Sequence, residues 1–240
     1  MSFEGKTWWI IGASEGLGRA LATALDREGA RLILSARNPD RLTELAGELR
    51  DAVPLPMDVT DARSVTAAAE AAQDADAVLY CAGLYDPMTV QDWEPEAAEE
   101  ICEVNFMGVM RVLGRVAPRM AQRGRGHIAL IGSLAGYTGL PGAIGYGASK
   151  AAVMHLGENL HRDLRDTDVK VQVINPGFIK TRLTAKNDFT MPMIQSPEDA
   201  AACCMKALRS NRFQSAFPAP FSWVFRIAAY LPRKLVTRLI

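Results

Sequence analysis

A chain of 240 residues, 49% hydrophobic and 22% charged, is long enough for one substantial core and too apolar for a disordered protein. Its formal net charge of zero gives the whole molecule no electrostatic reason to bind nucleic acid, and no uncharged apolar run reaches the roughly 18 residues that predict a membrane span. The charge is uneven: residues 200–240 carry seven Lys or Arg and no Asp or Glu, which leaves the first 199 at −7.

The N-terminus, MSFEGKTWWIIGAS, has no charged segment followed by a long apolar one, so no signal peptide is expected. Short apolar runs then alternate with longer helical patterns. Strands are predicted at Thr7–Ile11, Arg31–Ser35, Val53–Met57, Ala77–Tyr80, His127–Ile131 and Lys170–Ile174. Helices are predicted at Gly16–Glu28, Pro39–Leu49, Asp61–Gln73, Pro95–Arg123 and Gly145–Asp166. The strands are apolar along most of their length, as in strands covered on both faces. This alternation predicts a doubly wound α/β fold with a parallel sheet. Ligands of such sheets bind beyond the carboxyl ends of the strands. The informative residues are therefore those just after each run: Gly12–Gly18, Arg37, Asp58, Gly83, Ser133 and Pro176–Gly177.

The first of these turns reads IIGASEGLGRALA. Gly12, Gly16 and Gly18 permit a tight turn and a close backbone approach to a pyrophosphate, and the helix that follows offers unpaired N–H groups. The second strand ends LILSARN. Arg37 stands where a carboxylate would accept from the ribose of NAD, and it suits a 2′-phosphate. Ser14 adds a hydroxyl; Glu15, an anion, argues the other way. The balance predicts NADP(H) over NAD(H). Tyr146 and Lys150 lie four residues apart at the start of a predicted helix, on one face. An ammonium there is expected to lower the phenol pKa and let Tyr146 exchange a proton with an alcohol oxygen. Ser133, thirteen residues upstream, is placed to hold the substrate oxygen.

These segments resemble the short-chain dehydrogenase/reductase family: GASEGLG at 12–18, MDV at 57–59, CAG at 81–83, VNFMG at 104–108, IGSLAG at 131–136, YGASK at 146–150 and NPGFIKT at 175–181. The resemblance implies a Rossmann-type, three-layer α/β/α domain and hydride transfer between a nicotinamide and a carbonyl or alcohol. It implies that Tyr146 donates or accepts the proton, that Lys150 tunes it and binds the nicotinamide ribose, and that Ser133 orients the carbonyl. Asn105 would hold a helix kink and a water linking Lys150 to solvent. Gly12, Ser14, Gly16, Leu17, Gly18, Arg37 and Gly83 would surround the cofactor. Asp58 would accept from the adenine amino group beside Val59. Pro176, Gly177, Ile179 and Thr181 would close the nicotinamide end. The family often forms dimers or tetramers through its two long helices, here Pro95–Arg123 and Gly145–Asp166. Two positions depart from its pattern: Ile11 replaces a threonine, and Tyr80–Cys81 replaces two polar residues. Losing both partners of a polar contact can be nearly neutral, so an apolar contact of Ile11 with Tyr80–Cys81 is expected.

The resemblance implies that residues 181–196 close over the substrate as a lid, with Leu183, Phe189, Met191, Met193 and Ile194 as an apolar wall suited to a lipophilic ketone or aldehyde. Ser196–Pro197–Glu198–Asp199 reads as a helix start. In the 217–240 extension, Leu235, Val236, Leu239 and Ile240 are placed to share a face opposite Arg233, Lys234 and Arg238. Peripheral membrane contact, a cover over the substrate site and a subunit contact all fit that pattern. Cys81, Cys102, Cys203 and Cys204 read as reduced thiols of a cytoplasmic protein. His127, His155 and His161 have no metal-ligand spacing. Two alternatives remain: a dinucleotide-binding sensor or scaffold without catalysis, and epimerase or dehydratase chemistry, for which the chain beyond Thr181 leaves little room.

Overall fold

A computed structural model describes residues 2–228, 230–232 and 234. The strands are β1 Thr7–Ile11, β2 Arg31–Ser35, β3 Ala52–Pro54, β4 Ala77–Tyr80, β5 Arg125–Ile131, β6 Asp168–Pro176 and β7 Gln214–Phe217. They form one sheet in the order β3-β2-β1-β4-β5-β6-β7, with every neighbouring pair parallel. The helices are α1 Gly16–Arg27, α2 Pro39–Glu48, α3 Ala62–Ala71, α4 Pro95–Cys102, α5 Gly108–Gln122, α6 Ile144–Asp163, α7 Pro197–Arg209 and α8 Phe221–Ala228. This is the Rossmann-type α/β sandwich that the alternation predicts.

The apolar strands are explained by their two covered faces. Successive side chains of a strand point to opposite sides. Trp8 and Ile10 of β1 enter one core with Leu21 and Leu25 of α1 and Leu208 of α7. Trp9 and Ile11 enter the other with Val65 of α3, Val112 of α5 and Val153 of α6. Ile10, Leu21, Leu25, Val65 and Val112 are all 0% exposed. Burying each such side chain is worth about 1.5–3 kcal/mol. The strand order reverses between β1 and β4, and the crevice of an open α/β sheet lies beyond such a switch point.

Two predicted elements need correction, and one strand was not predicted. The third strand stops at Pro54 instead of running over Val53–Met57. Leu55 and Met57 still donate to Leu34 and Ala36 of the β2 side (2.8 and 3.0 Å), but Pro54 and Pro56 have no N–H to add to the ladder. The helix over Pro95–Arg123 is broken by a π-turn at Glu103–Met107. The Tyr80 hydroxyl donates to the Val104 carbonyl there (2.7 Å), and Gly108 leaves the space, since a Cβ at that residue would overlap the hydroxyl. A side chain inserted into the helical ladder is a known cause of such a break. β7 escapes a pattern search because its residues, QSAF, are short and polar. The helix start at Ser196 is as expected: its hydroxyl accepts from the Asp199 N–H (3.0 Å) and α7 follows. The proposed amphipathic face of Leu235, Val236, Leu239 and Ile240, with Arg233 and Arg238, lies outside the described residues.

Candidate active site

A cavity of about 500 Å³ opens at the carboxyl edge of the sheet. Gly12, Ser14, Gly16, Leu17 and Gly18 form its floor at the switch point, with Arg37, Asp58, Val59 and Gly83 along one side. Tyr146, Lys150, Pro176, Gly177, Ile179 and Thr181 line the rest. The glycine turn is as tight as its sequence requires. Gly12 has φ +89°, and a Cβ on it would lie 2.5 Å from the Ala82 nitrogen of the segment after β4. A Cβ on Gly18 would strike the Gly12 carbonyl. Glu15 precedes α1 without a side-chain cap bond, so the first-turn N–H groups keep no side-chain partner, as an anion site requires.

The polar end is built on β4, β5, α6 and the π-turn. Lys150 is buried, 5% exposed, and its ammonium donates to the Ile131 carbonyl at the end of β5 (3.0 Å). Burial pushes its pKa down to about 8, with Cys81 pulling weakly the other way. The ammonium lies 5.8 Å from the Tyr146 ring centre. Contrary to expectation, the Tyr146 phenol is raised, not lowered: burial dominates, and its hydrogen bond with Ser133 draws it only part of the way back. A phenolate in this enclosure loses more hydration than nearby groups return, so Tyr146 is a proton-bearing phenol. Ser133 opens the short 3₁₀ turn Leu134–Gly136, and its oxygen also accepts from the Ala135 N–H (3.1 Å).

Asn105 and Ser133 sit beside the cavity and are not among its wall residues. Asn105 is 0% exposed. Its carbonyl accepts from the Leu84 N–H (2.7 Å), and its amide donates to the Leu84 carbonyl (2.9 Å) and the Ser149 hydroxyl (3.0 Å). It thus fastens the π-turn to the Gly83–Leu84 segment and to α6. Ile11 does stand beside Tyr80 in the sheet register, and both belong to one core. The contact is not purely apolar, however: the Tyr80 hydroxyl turns to Val104. Cys81 meets Ile11 through its backbone N–H (2.8 Å), while its side chain packs in the opposite core.

Sequence reasoning missed Tyr85, Arg41 and Arg182. The Tyr85 ring stands edge-on to Tyr146 with centroids 5.0 Å apart, and its hydroxyl donates to Asn187 of the lid (2.7 Å). Its only signal was an aromatic residue two positions past Gly83. Arg182 and Arg41 both grip Glu15, at 2.6 and 2.9 Å, and hold its carboxyl below the usual range, with the Arg182 hydrogen bond the largest cause. Glu15 therefore does not oppose a phosphate as a free anion; Arg37, Arg41 and Arg182 line the cavity with the carboxylates Glu15 and Asp58. In the lid, Leu183 lines the cavity, whereas Phe189, Met193 and Ile194 are largely exposed. His127 bonds Gln172 (2.9 Å), His155 pairs with Glu158 and His161 stacks on Phe213, all ordinary strand and helix roles.

Fold and crevice together define a doubly wound α/β protein with a glycine-floored cavity at its topological switch point. The short chain dehydrogenase family matches residues 6–191. A protein of Myxococcus xanthus (strain DK1622), named an uncharacterized oxidoreductase, is 35% identical over 238 residues, 96% of this chain and 94% of that protein. Among solved structures, a short chain dehydrogenase from Burkholderia cenocepacia J2315 in complex with NADP superposes with a TM-score of 0.90 at 26% identity, covering 100% of this chain and 99% of that one. A short-chain dehydrogenase from Sphingobium yanoikuyae in complex with NADPH gives 0.86 at 25% identity over 97% and 95%. The chain belongs to the short-chain dehydrogenase/reductase family, whose members are NAD(P)-dependent oxidoreductases.

Proposed function

We propose that this protein is an NADP(H)-dependent carbonyl reductase acting on lipophilic ketones or aldehydes. The observation that carries the reading is the Tyr146 ring at the wall of a glycine-floored cavity, with the buried Lys150 ammonium 5.8 Å from its centre. The cavity suits a dinucleotide: Gly12 and Gly18 leave a cradle that a Cβ would fill, and the α1 N-terminus lacks a side-chain cap. Two of the superposed relatives were solved with NADP or NADPH. Arg37, with Arg41 and Arg182, supplies the cations a 2′-phosphate would pair with. Asp58 keeps one oxygen on the Thr60 N–H and hydroxyl (2.9 and 2.8 Å) and has the other for an adenine amino group. The cofactor supplies the hydride.

The chain's own residues manage the oxygen and the proton. Ser133 donates its hydroxyl to the substrate carbonyl, polarising it beside the phenol. Tyr146 passes its Oη proton to the carbonyl oxygen as the carbon becomes tetrahedral, leaving a phenolate and an alcohol. Lys150, charged below about pH 8, stabilises that phenolate from 5.8 Å off the ring centre. Asn105 holds the π-turn against α6, which fixes Lys150 in register. Tyr85 and Leu183 give the substrate end an apolar wall. The proton-bearing phenol is the form from which carbonyl reduction starts.

The test is oxidation of NADPH and NADH by purified protein with a series of ketones and aldehydes of increasing chain length. NADPH oxidation that rises with chain length is the expected result. Turnover confined to small hydrophilic carbonyls would overturn the substrate class, and turnover with neither cofactor the reading itself.

A further inference from the structure

We propose that α8 and the basic segment around it form a docking surface for an anionic lipid bilayer, placed so that the candidate active site opens beside the membrane. The surface stands without the functional reading; only its consequence for substrate entry rests on that reading.

The outer face of α8 is apolar. Ser222, Phe225 and Ala228, three residues apart, are buried against the domain. The opposite stripe is Trp223, Val224 and Ile227, exposed at 55, 48 and 57%, and just past the helix end Tyr230 and Leu231 are exposed at 90 and 37%. A helix that is apolar toward both core and outside is not built for water. Trp and Tyr, with apolar bodies and polar tips, are the side chains that settle at headgroup level.

Charge selects the occupant. Exposed Arg226 lies within the stripe, and Lys206, Arg212 and Lys234 are exposed nearby in sequence. No acid occurs from residue 200 to 240, while residues 1–199 are −7. An anionic surface therefore attracts this end of the chain and repels the rest, which orients the molecule. A second copy docking by a two-fold contact would set the same cations against each other. A bilayer containing anionic lipid satisfies the apolar stripe and its cations together.

The face also sits at the right edge. Gly177 donates to the Phe217 carbonyl (2.8 Å), so α8 begins beside the turn after β6. Phe221 packs on Phe178 (centroids 5.9 Å) and Phe178 on lid residue Phe189 (5.8 Å). Phe178 lies between cavity-lining Gly177 and Ile179. A carbon-rich path thus joins the docking face to the cavity, and carbonyl compounds dissolved in the bilayer are the substrates such a path would take.

The experiment is flotation of the full chain with phosphatidylcholine vesicles, with and without about 30% phosphatidylserine, at about 0.05 and 0.5 M salt. Flotation only with the anionic vesicles, lost at high salt, is expected. Each basic side chain near an anionic surface is worth roughly fivefold in partitioning. Arg226→Gln with Lys234→Gln should therefore cut binding about 25-fold. Trp223→Ser with Ile227→Ser should cut it at least tenfold, and both pairs should keep the thermal midpoint. No flotation of the wild type, or equal flotation of wild type and both folded variants, overturns the proposal. So does a Trp223→Ser/Ile227→Ser variant that dissociates from oligomer to monomer while the wild type stays off the vesicles, because the face is then a subunit contact. Flotation needs neither cofactor nor substrate, so an inactive protein that floats would remove the reductase reading and leave the surface standing.

Discussion

Two regions meet where the Tyr85 ring lies against Tyr146 and its hydroxyl reaches Asn187. Beneath is the floor formed by β4, β5, α6 and the π-turn; above is the lid at 181–196. On the floor, Asn105 and Lys150 are 0 and 5% exposed, and their polar atoms end on backbone carbonyls, a backbone N–H or Ser149. In the lid, Phe189, Met193 and Ile194 are 50, 47 and 41% exposed, and its ion pairs with the body are surface ones: Lys186 with Asp86 (3.1 Å) and Arg182 with Glu15 (2.6 Å). Buried, hydrogen-bonded groups hold one geometry because a departure strands a polar atom. Exposed ion pairs are worth about 0–1 kcal/mol and are easily exchanged with water. The chemistry should therefore depend on the floor and the choice of substrate on the lid.

The largest effect expected from this contrast is at Tyr146. Tyr146→Phe removes the proton but keeps the ring, so kcat for ketone reduction should fall by about 10²–10⁴ while NADPH affinity, read by fluorescence titration, stays within about twofold. Retained turnover would remove the proposed acid. Lys150 gives a second test on the same floor. Because its pKa falls from an ordinary 10.5 to about 8, kcat/KM for reduction should decline as pH rises through about 8. Stability should move the opposite way. The unfolded chain keeps the lysine proton up to about pH 10.5 and the folded chain releases it near 8, so between those values the unfolded state binds more protons and the cofactor-free protein gains stability as pH rises. Lys150→Met should flatten both trends.

Next in size is Arg37→Ala. Losing a charge-assisted contact of about 1.5–3 kcal/mol should raise KM for NADPH by roughly 10–150-fold and leave KM for NADH within about twofold. An equal loss with both cofactors would show that Arg37 serves the loop and not a 2′-phosphate. Tyr85→Phe touches both regions and should act through the lid. Its ring stays against Tyr146 while Asn187 loses its donor, so KM for a long-chain ketone should rise about three- to tenfold, the scale of one neutral hydrogen bond, with kcat nearly unchanged. A fall in kcat with KM unchanged would place Tyr85 on the catalytic floor instead.

The same contrast decides what the sequence made legible. Residues announced themselves where local backbone rules constrain them. The Gly12–Gly18 turn, the Tyr146–Lys150 spacing and the Ser196 cap each depend on neighbours a few residues away. Asn105 and a helix kink at it were expected from the resemblance, but the cause of the π-turn was not legible, because it is Tyr80, 24 residues before Val104, donating to the Val104 carbonyl. The sign of the Tyr146 shift was misjudged for a related reason: spacing shows that Lys150 is near but not how much hydration the phenol loses in its surroundings. Glu15 misled most. Read alone it is an anion beside a phosphate site; its partner Arg182 lies 167 residues away, a distance at which no periodicity or spacing speaks. β7 and the exposed stripe of α8 escaped because a polar edge strand and an outward apolar face both break the patterns by which cores are recognised.

The smallest expected effect probes that long-range pair. Arg182 is 71% exposed at its side chain and Glu15 39%, so their ion pair is worth about 0–1 kcal/mol after solvent screening. Arg182→Ala should leave the thermal midpoint in place and raise KM for NADPH less than about fivefold. The direction of any change with the other cofactor carries the information. Removing Arg182 leaves Glu15 with Arg41 alone, which lowers the positive charge at the rim and frees part of a carboxylate. Any effect should then fall on NADPH and spare NADH, and Glu15→Gln should do the reverse by releasing both arginines. If Glu15→Gln weakens NADPH as much as Arg182→Ala does, the pair acts as a clasp between the glycine turn and the lid, and its charges do not choose the cofactor.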